Sequence, residues 1–448
     1  MIPTRIPRAG AGRALALLAL FGLAGCGWFD WIGAPKQPPL PGERIAVLLH
    51  QRTLAPDPGV SGSEIVLPEP LANADWPQAG GYPNHAMHHM AINEKIQLAW
   101  RVDAGVGAGK AEKIVGSPIV AQGRVYAMDA ETNVSAFDDK TGKRLWRAAL
   151  TPDEEDDGHI GGGIAFEHGR VFAATGFAQI VALDAASGAV LWRQSVAGPL
   201  RTPPTVREGR VFAVTVDNKL LALAAQDGRQ LWSHAAIGEV ASILGGASPA
   251  VDGDVAVVPF SSGELVAFRV ENGHVLWSES LASLRGGDAV TTLSHIRGRP
   301  VIDRGRVFAM SHGGIMAAID LRTGQRIWDR DIGGLDSPWV AGEFVYVLTA
   351  DAEIACLSRA DGRIFWVRGL PRYEDEKKRK DPIVWTGPIL ASDRLIIAGS
   401  HGEAWSLSPY TGSLLGKVRM PSGVSVPPIV AGGSVYFLAD NAKLLAFR

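Results

Sequence analysis

Cysteine is nearly absent: the 448 residues hold two, Cys26 and Cys356. That excludes a disulfide framework and any cysteine-rich zinc site. Basic excess is absent too. Forty-four Lys and Arg face 46 Asp and Glu, for a formal net charge of −2, which argues against a nucleic-acid partner. Long apolar runs are missing. The strongest, Ala14 to Ala24, is about half of the ~20 residues a membrane-spanning helix needs. No long stretch keeps clean helical periodicity. What remains is 46% apolar and 20% charged residues with 53 glycines, a composition for a large packed core joined by many turns.

Arg5, Arg8 and Arg13 precede that apolar run, and Leu23-Ala24-Gly25-Cys26 closes it. A basic start, a short apolar segment and small residues before a cleavage point describe an export signal over residues 1–25. The Leu-Ala-Gly-Cys ending resembles the lipobox of bacterial lipoproteins. That resemblance implies acylation of Cys26 and a lipid anchor, and Gly27 after it favours the outer membrane. The other reading is an ordinary signal peptide with a coincidental Cys. Residues 26–93 carry ten prolines and little periodicity and read as a Pro-rich tether.

Beyond residue 93 the chain repeats itself. KTGKRLW, ASGAVLW, QDGRQLW, ENGHVLW, RTGQRIW and ADGRIFW deliver Trp146, Trp192, Trp232, Trp277, Trp328 and Trp366, about 44 residues apart. A seventh copy, YTGSLLG, has Gly416 instead, and Trp100 in KIQLAWRVD lacks the turn. A second phrase of a turn and an alternating strand recurs with the same period, as in QGRVYAMD, HGRVFAAT and RGRVFAMS. A short apolar strand, often opened by Pro, precedes each, and a third strand leads into the Trp turn. Four short strands per unit, eight times, predict an all-β, eight-bladed β-propeller of antiparallel blades over 94–448. The last unit stops one strand short at Arg448, and the strand around Trp100 supplies it. Pairing of N- and C-terminal strands then closes the ring.

These phrases resemble the tryptophan-docking repeat of the pyrroloquinoline-quinone-type propellers. The resemblance implies that each Trp, Trp100 included, packs an outer strand against the next blade. A single small ligand cannot touch seven peripheral sites, so the Trp is architectural. Quinone dehydrogenases of this fold carry adjacent cysteines over their cofactor, which this chain lacks, and Cys356 reads as a small buried residue. No cofactor is therefore expected. A periplasmic quinone-dependent dehydrogenase stands as the alternative.

Other chemistry is weaker. NHAMHHM (84–90) gathers His85, His88 and His89 with two Met, ligand types that suit copper, but a packing or solvated role explains them better. The charge blocks 153–159 and 374–381 read as solvated loops between blades.

An acylated, tethered, eight-bladed propeller with a blade-five phrase AIDLRTGQRIWDRDI resembles the outer-membrane assembly factor family BamB. The resemblance implies a non-enzymatic scaffold on the periplasmic face of the outer membrane. It would bind POTRA domains of the barrel-inserting protein BamA, other assembly components and nascent β-barrel proteins. Family contacts fall in loops leading into the fourth and fifth blades, which places Ala241, Ile243 and Leu244 in one and His295 and Arg297 in the other. The family's Arg and Asp pair are absent there. A general envelope scaffold that binds peptides or peptidoglycan is a further reading.

Overall fold

Each repeat folds as one four-stranded antiparallel sheet, because its apolar residues alternate along strands of three to seven residues and its turns fall on Gly. A computed structural model describes residues 54–153, 159–238, 244–282 and 295–448. Leu54–Arg448 forms one compact unit. Blade 1 runs Ile119–Ala121, Arg124–Met128, Val134–Asp138 and Arg144–Ala148, with its strands in that spatial order. Blades 2 to 7 repeat the order. Their first strands are Gly163–Glu167, Thr205–Arg207, Ala250–Asp252, Val301–Asp303, Trp339–Ala341 and Trp385–Ala391. Their last strands are Val190–Ser195, Gln230–Ala235, Val275–Ser280, Arg326–Arg330, Ile364–Gly369 and Leu414–Arg419. Blade 8 takes three strands, Ile429–Ala431, Ser434–Leu438 and Lys443–Phe447, from the C-terminus and its fourth, Leu98–Asp103, from the N-terminal side. Trp100 opposes Ala446 there, and the backbones of Gln97 and Arg448 exchange both hydrogen bonds. The eight-bladed propeller and its closure by strand exchange are thus as the sequence predicts.

First strands of neighbouring blades touch one another and are buried, whereas last strands are the most exposed of each blade, with their Trp half-buried or buried. The repeated Trp sits on that last strand. In its own blade it stands behind a small residue and an aromatic or branched one: Tyr126–Ala136–Trp146, Phe308–Ala318–Trp328, Tyr346–Cys356–Trp366. Cys356 therefore occupies the repeat's alanine position, where only a small side chain fits between two rings whose centroids lie 6.1 Å apart. A β-bulge adjoins the Trp pairing in these blades.

The next blade receives the indole. Trp328 Nε1–H donates to Arg359 O at 3.0 Å, and the ring lies on Gly362. Gly362 has φ +71°, and a Cβ there would meet the indole at 2.7 Å. Only glycine meets both demands. Trp100, Trp146, Trp192, Trp232, Trp277 and Trp366 repeat the arrangement on Asp139, Ala185, Ala225, Val270, Leu321 and Pro409 carbonyls, at 2.8–3.1 Å. The Gly and the Trp of one sequence phrase thus serve two different joints.

Gly416 breaks the series for a geometric reason. A Trp there would need the turn joining the third and fourth strands of blade 8, and those strands come from opposite ends of the propeller chain. Where other blades offer a turn carbonyl, Arg448 O is taken by Gln97 N. Blade 7 compensates inside: Trp385 and Trp405 pack edge to face at 4.8 Å, and Lys417 Nζ lies 4.0 Å over Trp405.

Residues 54–93 differ from the sequence expectation of a free tether. Their Pro-rich backbone pairs with the first strands of the blades in turn. Asn73 Nδ2 donates to Val430 O of blade 8, and Trp76 exchanges both backbone bonds with Val120 of blade 1. Phe166 N of blade 2 donates to Pro77 O, and the Gln78 amide pairs with the Val206 backbone of blade 3. Val251 N and Ile302 N, of blades 4 and 5, donate to Pro83 O and Asn84 O. Trp339 Nε1 of blade 6 donates to His88 O, and Met90 exchanges bonds with blade 7. The chain makes one circuit of the axis and meets every blade. Left-handed φ at Gly80, Gly81, His85 and His88 lets it bend so tightly. Trp76, Met87 and Met90 are buried by it, and Trp76 stacks on Trp339 with ring centroids 6.3 Å apart.

Trp328→Ala should cost about 3–5 kcal/mol in urea unfolding, and Gly362→Ala, which touches the same joint, should also destabilise. Blade 7's last strand, Leu414–Arg419, is exposed throughout and Gly416 faces open space. Its amides should exchange faster with deuterium than those of the other last strands, and Gly416→Trp should not slow them.

Candidate partner-binding surface

The loops that lead into blades 3, 4 and 5 meet on one end of the ring. Ser248 Oγ donates to Pro203 O and Thr205 Oγ1 to Pro249 O, so the first two loops are pinned to each other within buried surroundings. Gly245 (φ +82°) turns the second loop, and a Cβ there would lie 3.5 Å from Arg297 Nε of the third. Between the loops runs a shallow cleft lined by Arg201, Thr202, Asn218, Gly246 and His295.

Of the residues expected to contact a partner, Leu244 is exposed at 39% and Arg297 is half-buried beside it. His295 is only 5% exposed, a wall of the cleft rather than a projecting contact, and its carbonyl accepts from His312 N. Ala241 and Ile243 lie outside the described residues, as does Cys26. Arg201, Thr202 and Asn218 were not foreseen. They come from blade 3, whose loop the sequence does not mark by charge or apolar character.

Burial lowers the His295 imidazole to about 4, with Arg297 and His312 adding repulsion. Burial and Arg299 lower His85 to about 3. His85 Nδ1 donates to Pro300 O at 2.7 Å. His89 Nδ1 bonds Pro68 O at 2.7 Å while its Nε2 accepts from Asp393 N. The His and Met cluster is therefore packed into the chain that circles the axis. Among the described residues no group of His, Cys, Asp and Glu is arranged to hold a metal. Of the two charge blocks, residues 154–158 lie outside the described residues. The other forms a largely exposed hairpin, Tyr373–Asp375 with Lys380–Pro382, between blades 6 and 7.

Against this geometry, the family model of the outer membrane protein assembly factor BamB matches residues 90–159 and 130–368, well over half of the chain. The chain belongs to the BamB family. Proteins of that name from Shigella dysenteriae and Escherichia coli K12 are 28% identical over 351 residues, covering 77% of this chain and 87% of theirs. The one from Alkalilimnicola ehrlichii is 27% identical over 210 residues, 47% of this chain and about half, 52%, of its own length. Among solved structures, BamB from Moraxella catarrhalis superposes with a TM-score of 0.67 at 16% identity, over 79% of this chain and all of that one. A europium-containing methanol dehydrogenase does so at 0.68 and 15%, over 84% of this chain and 98% of that one. At such identities the structural likeness speaks for the fold alone.

Unfolded imidazoles titrate near ~6.5, so between pH 6.5 and about 4 the unfolded chain binds protons that folded His295 and His85 refuse. Stability should therefore fall as pH drops through that window. The urea midpoint followed from pH 7 to 4.5 checks it, and His295→Asn should remove close to one proton from the slope.

Proposed function

We propose that the chain is a non-enzymatic scaffold of outer-membrane β-barrel assembly. The observation that carries this reading is the BamB family match across 90–368. On this reading Cys26 holds the lipid anchor, and the ring sits on the periplasmic face of the outer membrane. The loops into blades 3, 4 and 5 face a POTRA domain of a BamA-type protein, and nascent β-barrel proteins are handled nearby. Rigid blades suit this role, since they hold many loops in fixed relation at one end.

The axis of the ring supports the non-enzymatic reading. Trp76 stacked on Trp339 fills it, leaving a cavity of about 30 Å³, far below the ~300 Å³ of the smallest usual cofactor pockets. A tricyclic quinone does not fit there.

Leu244→Glu and Arg297→Glu, made singly, should each weaken binding to a purified POTRA fragment by about tenfold, the scale of an interface hot spot, with the melting temperature unchanged. Unaltered affinity in both variants would remove this surface. Failure of the wild-type chain to bind POTRA domains at all would remove the assembly reading.

A further inference from the structure

The small axial cavity has an unusual lining. Trp76, His85, Ser117, Arg299, Asp336 and Gly387 converge on it from the circling chain and from four blades. Trp76 and His85 are 3% and 4% exposed, yet Trp76 Nε1 and His85 Nε2 have no hydrogen-bond partner, and neither has the buried Arg299 Nε. Three orphaned polar atoms around one cavity are costly if left unmet.

Their chemistry is complementary. Trp76 Nε1–H and the Arg299 guanidinium donate. His85 Nδ1 already donates to Pro300 O, so its Nε2 offers a lone pair. Burial lowers Arg299 only to about 10, so it stays charged at neutral pH, and Arg297 stands close enough to add positive field. Asp336 opposes them with one carboxylate. Its Oδ1 is engaged by Thr386 Oγ1 at 2.9 Å and by Gly387 N at 3.5 Å. Two guanidinium groups against one carboxylate leave the cavity electropositive. At about 30 Å³, against ~10–15 Å³ for one water, it holds only a few non-hydrogen atoms.

We propose that this cavity is a binding site for a small oxyanion that keeps a proton donor, such as glycolate or hydrogen carbonate. The anionic oxygens accept from Arg299 and Trp76, and the remaining O–H donates to His85 Nε2. Gly80 shapes the wall: a Cβ there would meet His85 Cδ2 at 2.7 Å and Arg299 Nε at 3.1 Å. The site is independent of partner binding and stands or falls apart from the assembly reading.

The test titrates the full-length chain, in detergent at pH 7.5 and constant ionic strength, with glycolate, acetate or chloride, and reads the melting temperature and the shift of ¹³C-labelled ligand. Saturable stabilisation by glycolate, weaker by about tenfold for acetate, which lacks the O–H, and absent for chloride is expected. Trp76→Phe, which keeps a ring but removes the N–H, should weaken glycolate by a similar factor, and Arg299→Gln should abolish saturation. Equal responses to glycolate and acetate would overturn the role of His85. Equal responses to all three anions, or an undiminished glycolate response in folded Trp76→Phe, would overturn the site.

Discussion

The ring depends on one joint made seven times: an indole laid on a left-handed glycine of the next blade, with its N–H on a turn carbonyl. A blade alone is a small twisted sheet whose faces are too apolar for water and whose last strand is an open edge. Face-to-face packing of blades is nearly directionless. The indole adds a direction, since its hydrogen bond and its contact with glycine are met at a single angle between sheets. Repetition of one angle is what brings eight blades back to the start. Variation in the rest of the sequence is then tolerated, which fits a solved fold neighbour that shares only 16% of its residues with this chain.

The eighth joint cannot exist in this form, because closing a ring by strand exchange removes the turn that would receive the indole. Two other devices hold the seam. Blade 8 is itself the splice, with Leu98–Asp103 zipped onto Lys443–Phe447, and Arg448 reaches from it to the carbonyls of Asp139 and Lys140 in blade 1. The second device is the circuit of residues 73–90 around the axis. It bonds to each first strand in turn, so separating blades 7 and 8 also strips backbone bonds at the centre. The outer welds act at large radius and the inner circuit at small radius, and together they resist different distortions of the ring.

What could be read from the sequence follows the same division. The outer joint announces itself because it needs two unlike residues, Gly and Trp, at a fixed offset in every blade, and even its failure at Gly416 is visible. Ring closure is visible as a strand too few at one end and one too many at the other. The inner circuit is invisible for a physical reason. Most of its bonds are made by backbone groups, and a Pro-rich extended segment has the same composition whether it is free or laid along a strand. His295 shows the complementary limit. Its place in a loop suggested exposure, while its burial is set by Ile296 beside it packing into the core and by the neighbouring loop.

The axial cavity lies beyond sequence reading altogether, because Trp76, His85, Arg299 and Asp336 share no spacing and meet only once the ring has closed. That dependence has a consequence for the surface near it. Arg299 N donates to Ser337 Oγ, Gly298 lies against the Asp336 carbonyl, and Arg297 stands two residues away, at the edge of the loop cleft. The backbone that lines the cavity therefore continues directly into the loop leading to blade 5. Charge held at the axis and charge presented by Arg297 belong to one short segment, 295–300, whose ends are fixed by the burial of His295 and Pro300. Unpaired guanidinium and indole donors there cost stability, a cost that a bound oxyanion would offset.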